Sequence, residues 1–143
     1  MKKRRCKINV GDVVQIKLPT GNFAYGRVFK DASIGIYKHQ SELPDQPPRE
    51  DDYAFIVGFY KDALTSGIWP VIEHRPFASD DTSWPPSNYI YDRINGQISI
   101  YYRGTMRPST EAECRGMEKA AVWEANHIID RIMGSTKWHK PAL

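Results

Sequence analysis

The sequence predicts an α+β fold: a strongly bent, mainly antiparallel β-sheet, partly barrel-like, with one long C-terminal α-helix packed on it. Three observations predict it. In the first half, apolar residues recur with period two, the spacing that turns one side of a strand toward a core. Turn-forming strings, Pro19-Thr20-Gly21-Asn22 and Asn95-Gly96, separate consecutive runs and so point to hairpins. Beyond residue 110 the apolar period lengthens to that of a helix. A chain of 143 residues suits one domain. The expected division is a basic start at 1–7, a domain at 8–134 and a tail at 135–143.

The elements follow in order. Val14, Ile16 and Leu18 alternate with Val13, Gln15 and Lys17 in a first strand, and Phe23 to Phe29 returns as its hairpin partner. In that second strand Phe23, Tyr25 and Phe29 oppose Ala24, Gly26 and Val28. The small face suits close backbone approach, with Gly26 as a bulge or a packing contact. Ser33 to Tyr37 adds a third short strand. Residues 38–52 hold too many prolines and acids for a regular element, so they form an acidic loop. Tyr53 to Tyr60 is apolar on both faces and reads as a central strand. Trp69 to Ile72 follows the Ser66-Gly67 turn as another strand, and residues 75–88 form a second irregular, acidic connection.

Asn95-Gly96 marks a further hairpin. An even loop there places Tyr89 and Tyr91 on the face of Ile98 and Ile100, leaving Asp92 and Ser99 on the wetter side. For the helix over 111–133, Thr110 with Glu113 fits a capping box, Glu111 suits the positive helix start and Gly134 suits the end. Cys114, Met117, Ala121, Ala125, Ile128 and Ile132 share one stripe. Trp123 falls opposite, among Lys119, Asn126 and Asp130, where it is either covered by Trp138 of the tail or left as a contact anchor.

The net charge of +3 hides an uneven distribution. Lys2, Lys3, Arg4, Arg5 and Lys7 crowd the start, and Lys137 and Lys140 the end, which leaves 13 basic against 17 acidic residues over 8–136. An acidic body is the wrong sign for a nucleic-acid binder. No apolar run reaches the length of a membrane span, and no signal-peptide apolar region follows the basic start, so a cytoplasmic protein is expected. Cys6 and Cys114 are then expected as reduced thiols.

A search for reaction chemistry yields none. His39, His74, His127 and His139 make no His-x-x-x-His pair, the two cysteines make no Cys-x-x-Cys, and neither a phosphate-binding glycine loop nor a Gly-x-Ser-x-Gly elbow occurs. His127 and Asp130 stand three apart, as a surface pair would. Asp51-Asp52 and Asp80-Asp81 lack the regular spacing of an oxygen-ligand metal loop. The expectation is no enzyme, no metal and no cofactor.

Five strings carry a resemblance. They are the Gly11-Asp12 strand opening, Phe23-Ala24-Tyr25-Gly26-Arg27-Val28, Asp31-Ala32-Ser33-Ile34, Thr65-Ser66-Gly67-Ile68-Trp69-Pro70 and Gly96-Gln97-Ile98-Ser99-Ile100-Tyr101. In this order, over about residues 8–102, the chain resembles the immunity protein 26 family of bacterial polymorphic-toxin systems. The basic start and the C-terminal helix lie outside that pattern. The resemblance implies a protein that binds and neutralises a cognate toxin domain by contact, and it brings no catalytic residues. Gly11 and Gly26 then read as backbone devices and Trp69 as a core or edge aromatic.

Recognition belongs in loops, where residues vary without disturbing a core. Many such toxins attack nucleic acids and present cationic sites, so an acidic cover is expected. The candidates are Glu42, Asp45, Glu50, Asp51 and Asp52 in one loop, and Asp80 and Asp81 in the other with Trp84 as aromatic anchor; Trp123 on the outer helix face is next. A rival reading comes from the first thirty residues, which also resemble the entry to an SH3-like barrel of the nucleic-acid-binding or endoribonuclease kind. Arg27, Lys30, Lys38 and the basic start would then line a phosphate path.

Overall fold

The computed structural model describes residues 7–138. Lys2 to Cys6, His139 and Lys140 lie outside the described residues. Thirteen strands and α-helices follow one another among the described residues: β1 (Asp12–Lys17), β2 (Phe23–Phe29), β3 (Ser33–Ser41), β4 (Tyr53–Phe59), α1 (Asp62–Thr65), β5 (Val71–His74), β6 (Asn88–Tyr91), β7 (Ile98–Tyr102), β8 (Thr105–Ser109), α2 (Glu111–Cys114), β9 (Glu118–Lys119), β10 (Val122–Trp123) and α3 (Ala125–Ile132), with a 3-10 turn at Asp81–Ser83 between β5 and β6. They make two sheets, one of six strands in the order β10-β4-β3-β2-β1-β5 and one of four in the order β8-β7-β6-β9. Neither sheet closes on itself, so the barrel-like part of the expectation is corrected, and the fold is mostly β-sheet with a few short helices.

The first hairpin forms as the turn chemistry dictates. Lys17 pairs with Phe23, and the Leu18 and Gly21 amides close the turn on the Asn22 and Leu18 carbonyls. Val14, Ile16, Leu18, Ala24 and Val28 join Ile34, Ile36, Val57 and Phe59 on the inner face of the large sheet. That face is roofed by Leu64 of α1, Trp69, Trp123 and Ile128 of α3. Trp69 is a core aromatic, 1% exposed. The small face of β2 is a packing contact: a Cβ on Gly26 would stand 2.7 Å from Cδ1 of Ile34. Where β3 meets β4, Ile36 pairs with Phe55 but Tyr37 pairs with Tyr53. Ala54 is the extra residue, and the shift sends Phe55 to the inner cluster and Tyr53 to the outer face.

Gly11 and Asp12 tie β1 to the far edge. Gly11 adopts φ +97, and a Cβ there would meet the Arg75 carbonyl at 2.9 Å, so only glycine lets the chain after β5 pass. The Asp12 carboxylate is buried, accepting from the Asn9 amide at 2.9 Å and lying 2.8 Å from His74 Nδ1. The second hairpin has the even register. Tyr89 faces Ile100 and Tyr91 faces Ile98, while the Asp92 amide bonds to Gln97 across the four-residue turn.

The long helix over 111–133 does not form. Thr110 does cap α2, accepting from the Glu113 amide at 3.3 Å, but the Glu113 carboxylate turns to Arg107 and Ser109 instead of completing a capping box. Arg115 is extended and Gly116 takes φ +81, which ends the helix after one turn. Residues 118–123 then serve both sheets, β9 adding in parallel to β6 and β10 in parallel to β4. Gly58 permits the crossover, since a Cβ there would lie 2.8 Å from the Ala121 carbonyl. The expected stripe is divided accordingly. Cys114 and Met117 pack with Tyr89 and Ile100 of the small sheet, and Ala125, Ile128 and Ile132 on the large one. α3 ends as foreseen, with Gly134 at φ +96 and the Ser135 amide reaching back to Asp130.

Candidate partner-binding surface

Trp123, expected on a polar helix face, is instead 5% exposed inside the main cluster. Trp138 does fold back, but onto α3. It stacks on His127 at 3.6 Å and donates its indole N–H to Asp130 at 2.9 Å, so His127 and Asp130 meet through it rather than directly.

The outer face of the large sheet carries charge. Arg27 sits mid-strand in β2 and is 4% exposed, which removes it from any phosphate path. Its Nε and Nη2 donate to the Arg75 carbonyl at 3.0 and 2.5 Å, and Nη2 also to the Pro76 carbonyl at 2.9 Å. Its Nη1 donates to Asp51 at 3.1 Å and to the Tyr53 hydroxyl at 3.2 Å, while its face lies 3.7 Å over the Phe77 ring. Arg75 donates in turn to Glu73, Asp51 and the Pro48 carbonyl. Tyr37 donates to Asp51 at 2.8 Å and stacks on Tyr53.

These contacts set the protonation states. Burial raises the Asp51 carboxyl, but the Tyr37 hydroxyl and the Arg27 and Arg75 charges outweigh it and hold Asp51 below the usual carboxylate range. Burial, with hydrogen bonds to Tyr53 and Asp51, pushes the Tyr37 phenol far above its ordinary value. Asp51 is therefore the staple that holds the acidic loop and the segment after β5 against the sheet. The signal for this network in the sequence was Arg27 itself, a lone cation inside an otherwise apolar strand.

The remaining acids divide in two. Asp52 pairs with Lys38 at 3.3 Å, Asp80 with Lys30, and Asp81 with Arg103 at 2.9 Å. Glu42, Asp45 and Glu50 are exposed and have no ion-pair partner among the described residues; Asp45 is fixed through its amide, which donates to Gln15 Oε1 at 2.7 Å. Trp84 is half-buried, with Lys30 at 5.2 Å and Arg103 at 5.4 Å from its ring. An open cleft of about 680 Å³ runs from Asp51 and Arg75 past Phe77 to Trp84, so the structure brings Asp51 of one acidic connection and Trp84 of the other to a common surface. Among the described residues no cluster of three metal-ligating side chains occurs, and no helix is long and apolar enough to cross a membrane.

A protein-family comparison then decides the assignment: immunity protein 26 matches residues 9–99, well over half of the chain. The chain belongs to that family. A search of curated proteins and one of solved structures returned no match. As a member of the immunity protein 26 family, the chain is an immunity protein of toxin systems, and the family implies a toxin partner and points away from an enzymatic role. The matched span takes in Gly11, Asp12, Gly26, Arg27, Trp69 and Arg75, so the backbone devices and the Arg27 network fall inside the family region. It ends before β8, α2 and α3.

Proposed function

We propose that residues 8–134 act as one unit that neutralises a cognate toxin domain in the producer's cytoplasm by direct contact, without catalysis. The observation that supports the contact surface is the set of exposed carboxylates Glu42, Asp45 and Glu50, which carry no ion pair among the described residues and are held in place by a loop stapled through Asp51. A fixed, unneutralised acidic surface attracts a cationic active site, accelerates encounter and costs little ordering on binding. Asp80, Asp81 and Trp84 extend that surface as a mixed-charge flank, because Lys30 and Arg103 already sit beside them. A nucleic-acid-binding role has less support. Of the cations assigned to a phosphate path, Arg27 is buried, and Lys30 and Lys38 are paired with aspartates.

The test is association kinetics with the toxin domain encoded beside this chain, at low and high salt. Glu42→Lys with Glu50→Lys is expected to slow association about tenfold at low salt and to converge on the parent at high salt. Equal rates for parent and variant at both salts would move the interface off this loop. Absence of any complex with the parent would end the inhibitor reading.

A further inference from the structure

Between the two sheets runs a second groove, of about 540 Å³, that the acidic-surface reading does not use. Its walls are the tip of the β2–β3 hairpin, the 120–122 crossover and the β7–β8 hairpin. Three large apolar side chains stand open in it: Met106 at 62%, Val122 at 57% and Tyr102 at 39% exposure. Apolar surface of this kind gathered in one concavity, rather than scattered, marks a contact site. The groove is also firmly built. Tyr101 donates to Asp31 at 2.7 Å across it, and Gly58 lets the crossover lie directly on β4. Three of the non-glycine residues with left-handed backbone, Asp31, Ala32 and Arg103, line it.

Two lining residues leave polar atoms unused. Asn88 Oδ1, an acceptor, and Arg103 Nε, a donor, are buried without a hydrogen-bond partner among the described residues. Such atoms are costly unless something pairs them. One missing donor and one missing acceptor are what a peptide group supplies. The Arg103 guanidinium is otherwise committed to Asp81, so it offers no free charge to an anionic ligand, and the apolar walls disfavour a charged side chain.

We infer that this groove receives an extended, uncharged, apolar segment of the toxin, its amide donating to Asn88 Oδ1 and its carbonyl accepting from Arg103 Nε after a small rotation of either side chain. The inference rests on the inhibitor reading and adds the anchor to it. Tyr102, Pro85 and Pro86 belong to both this groove and the cleft that holds Trp84, so the two form one continuous surface. The acidic loop then governs how fast the partner arrives, and the groove how long it stays.

The experiment measures dissociation of the neighbouring toxin domain from the full chain and from Met106→Glu, Val122→Glu and Asn88→Ala. The first two positions are solvent-exposed, so their melting temperatures should match the parent. Dissociation at least tenfold faster in both glutamate variants and several-fold faster in Asn88→Ala, with association unchanged, is the expected result. Parent-like dissociation in both glutamate variants, while the parent binds, would overturn the groove and leave the inhibitor reading standing. No binding by the parent would overturn both. Self-association of the parent in sedimentation that Met106→Glu abolishes would assign the groove to a second copy of the chain instead.

Discussion

The two faces of the six-stranded sheet are held by different physics. The inner face is apolar throughout, with Val14, Ile16, Ile34, Ile36, Val57 and Phe59 beneath Trp69, Trp123 and Ile128. The outer face carries Tyr25, Tyr37 and Tyr53 with Arg27, Asp51 and Arg75. Dispersion and burial on the inner face are summed over many weak contacts, so loss there should be graded with volume. On the outer face each polar group depends on a named partner, and removing one strands the others. The difference separates roles as well. The inner face holds the fold together, while the outer face decides where the acidic loop sits, which is what the proposed partner recognition needs.

The largest expected effect comes from putting a charge on the apolar side. Ile128 is fully buried, and Ile128→Asp should cost about 5 kcal/mol, combining a lost side chain with an unpaired carboxylate, whereas Ile128→Val should cost about 1 kcal/mol. Denaturant unfolding of both variants checks this. A parent-like Ile128→Asp would mean that α3 does not pack on the sheet.

On the outer face, Arg27→Met should cost about 3 kcal/mol, because it removes one of the cations that hold Asp51 and leaves the Arg75 and Pro76 carbonyls without the Arg27 donor. The contrast with the inner face is sharpened by locality. Hydrogen exchange in Arg27→Met should rise first in residues 42–52 and 75–78, with the amides of α3 still protected. Uniform loss of protection would show that the two faces are one cooperative unit.

The smallest effect is a pH dependence. The folded-state carboxyl of Asp51 is depressed, so its stabilisation is present above the ordinary carboxylate value and is lost as pH falls through the lower folded value. Its side chain is 42% exposed, and solvent screening limits the contribution to about 1 kcal/mol. Asp51→Asn should therefore be less stable than the parent at pH 7 and lose less on acidification from about pH 5 downward. Thermal melts of both at pH 7 and pH 3 measure the difference. Parallel losses in the two proteins would remove Asp51 from the pH response.

The first hairpin, the central strand at Tyr53, the even register of the second hairpin and the family were readable from residues alone, whereas β3 runs past Tyr37 to Ser41 and β5 begins at Val71 rather than Trp69. Val14, Ile16 and Leu18 sit in a period-two pattern that admits one buried face, and Pro19-Thr20-Gly21-Asn22 and Asn95-Gly96 limit the turns available to the chain. The acidic connections were recognisable as loops for the same local reason over most of their length, though residues 38–41 continue β3 and Asp81–Ser83 forms a 3-10 turn. What residues 111–133 would do was not readable. Their helical period is real, but Gly116 weakens the helix, and two sheet edges offer β6 and β4 as pairing partners for segments only two residues long. That choice moved Trp123 from an expected surface into the core. The fate of each acidic residue was likewise a matter of tertiary neighbours. Asp51 and Glu50 adjoin in one loop, yet Asp51 meets Arg27 of β2 and Arg75 of the segment after β5, both distant in sequence, and Glu50 meets solvent. Local patterning determines what is settled by sterics and periodicity within a few residues; whether a charge is a staple or a contact depends on distances between segments that only the folded chain brings together.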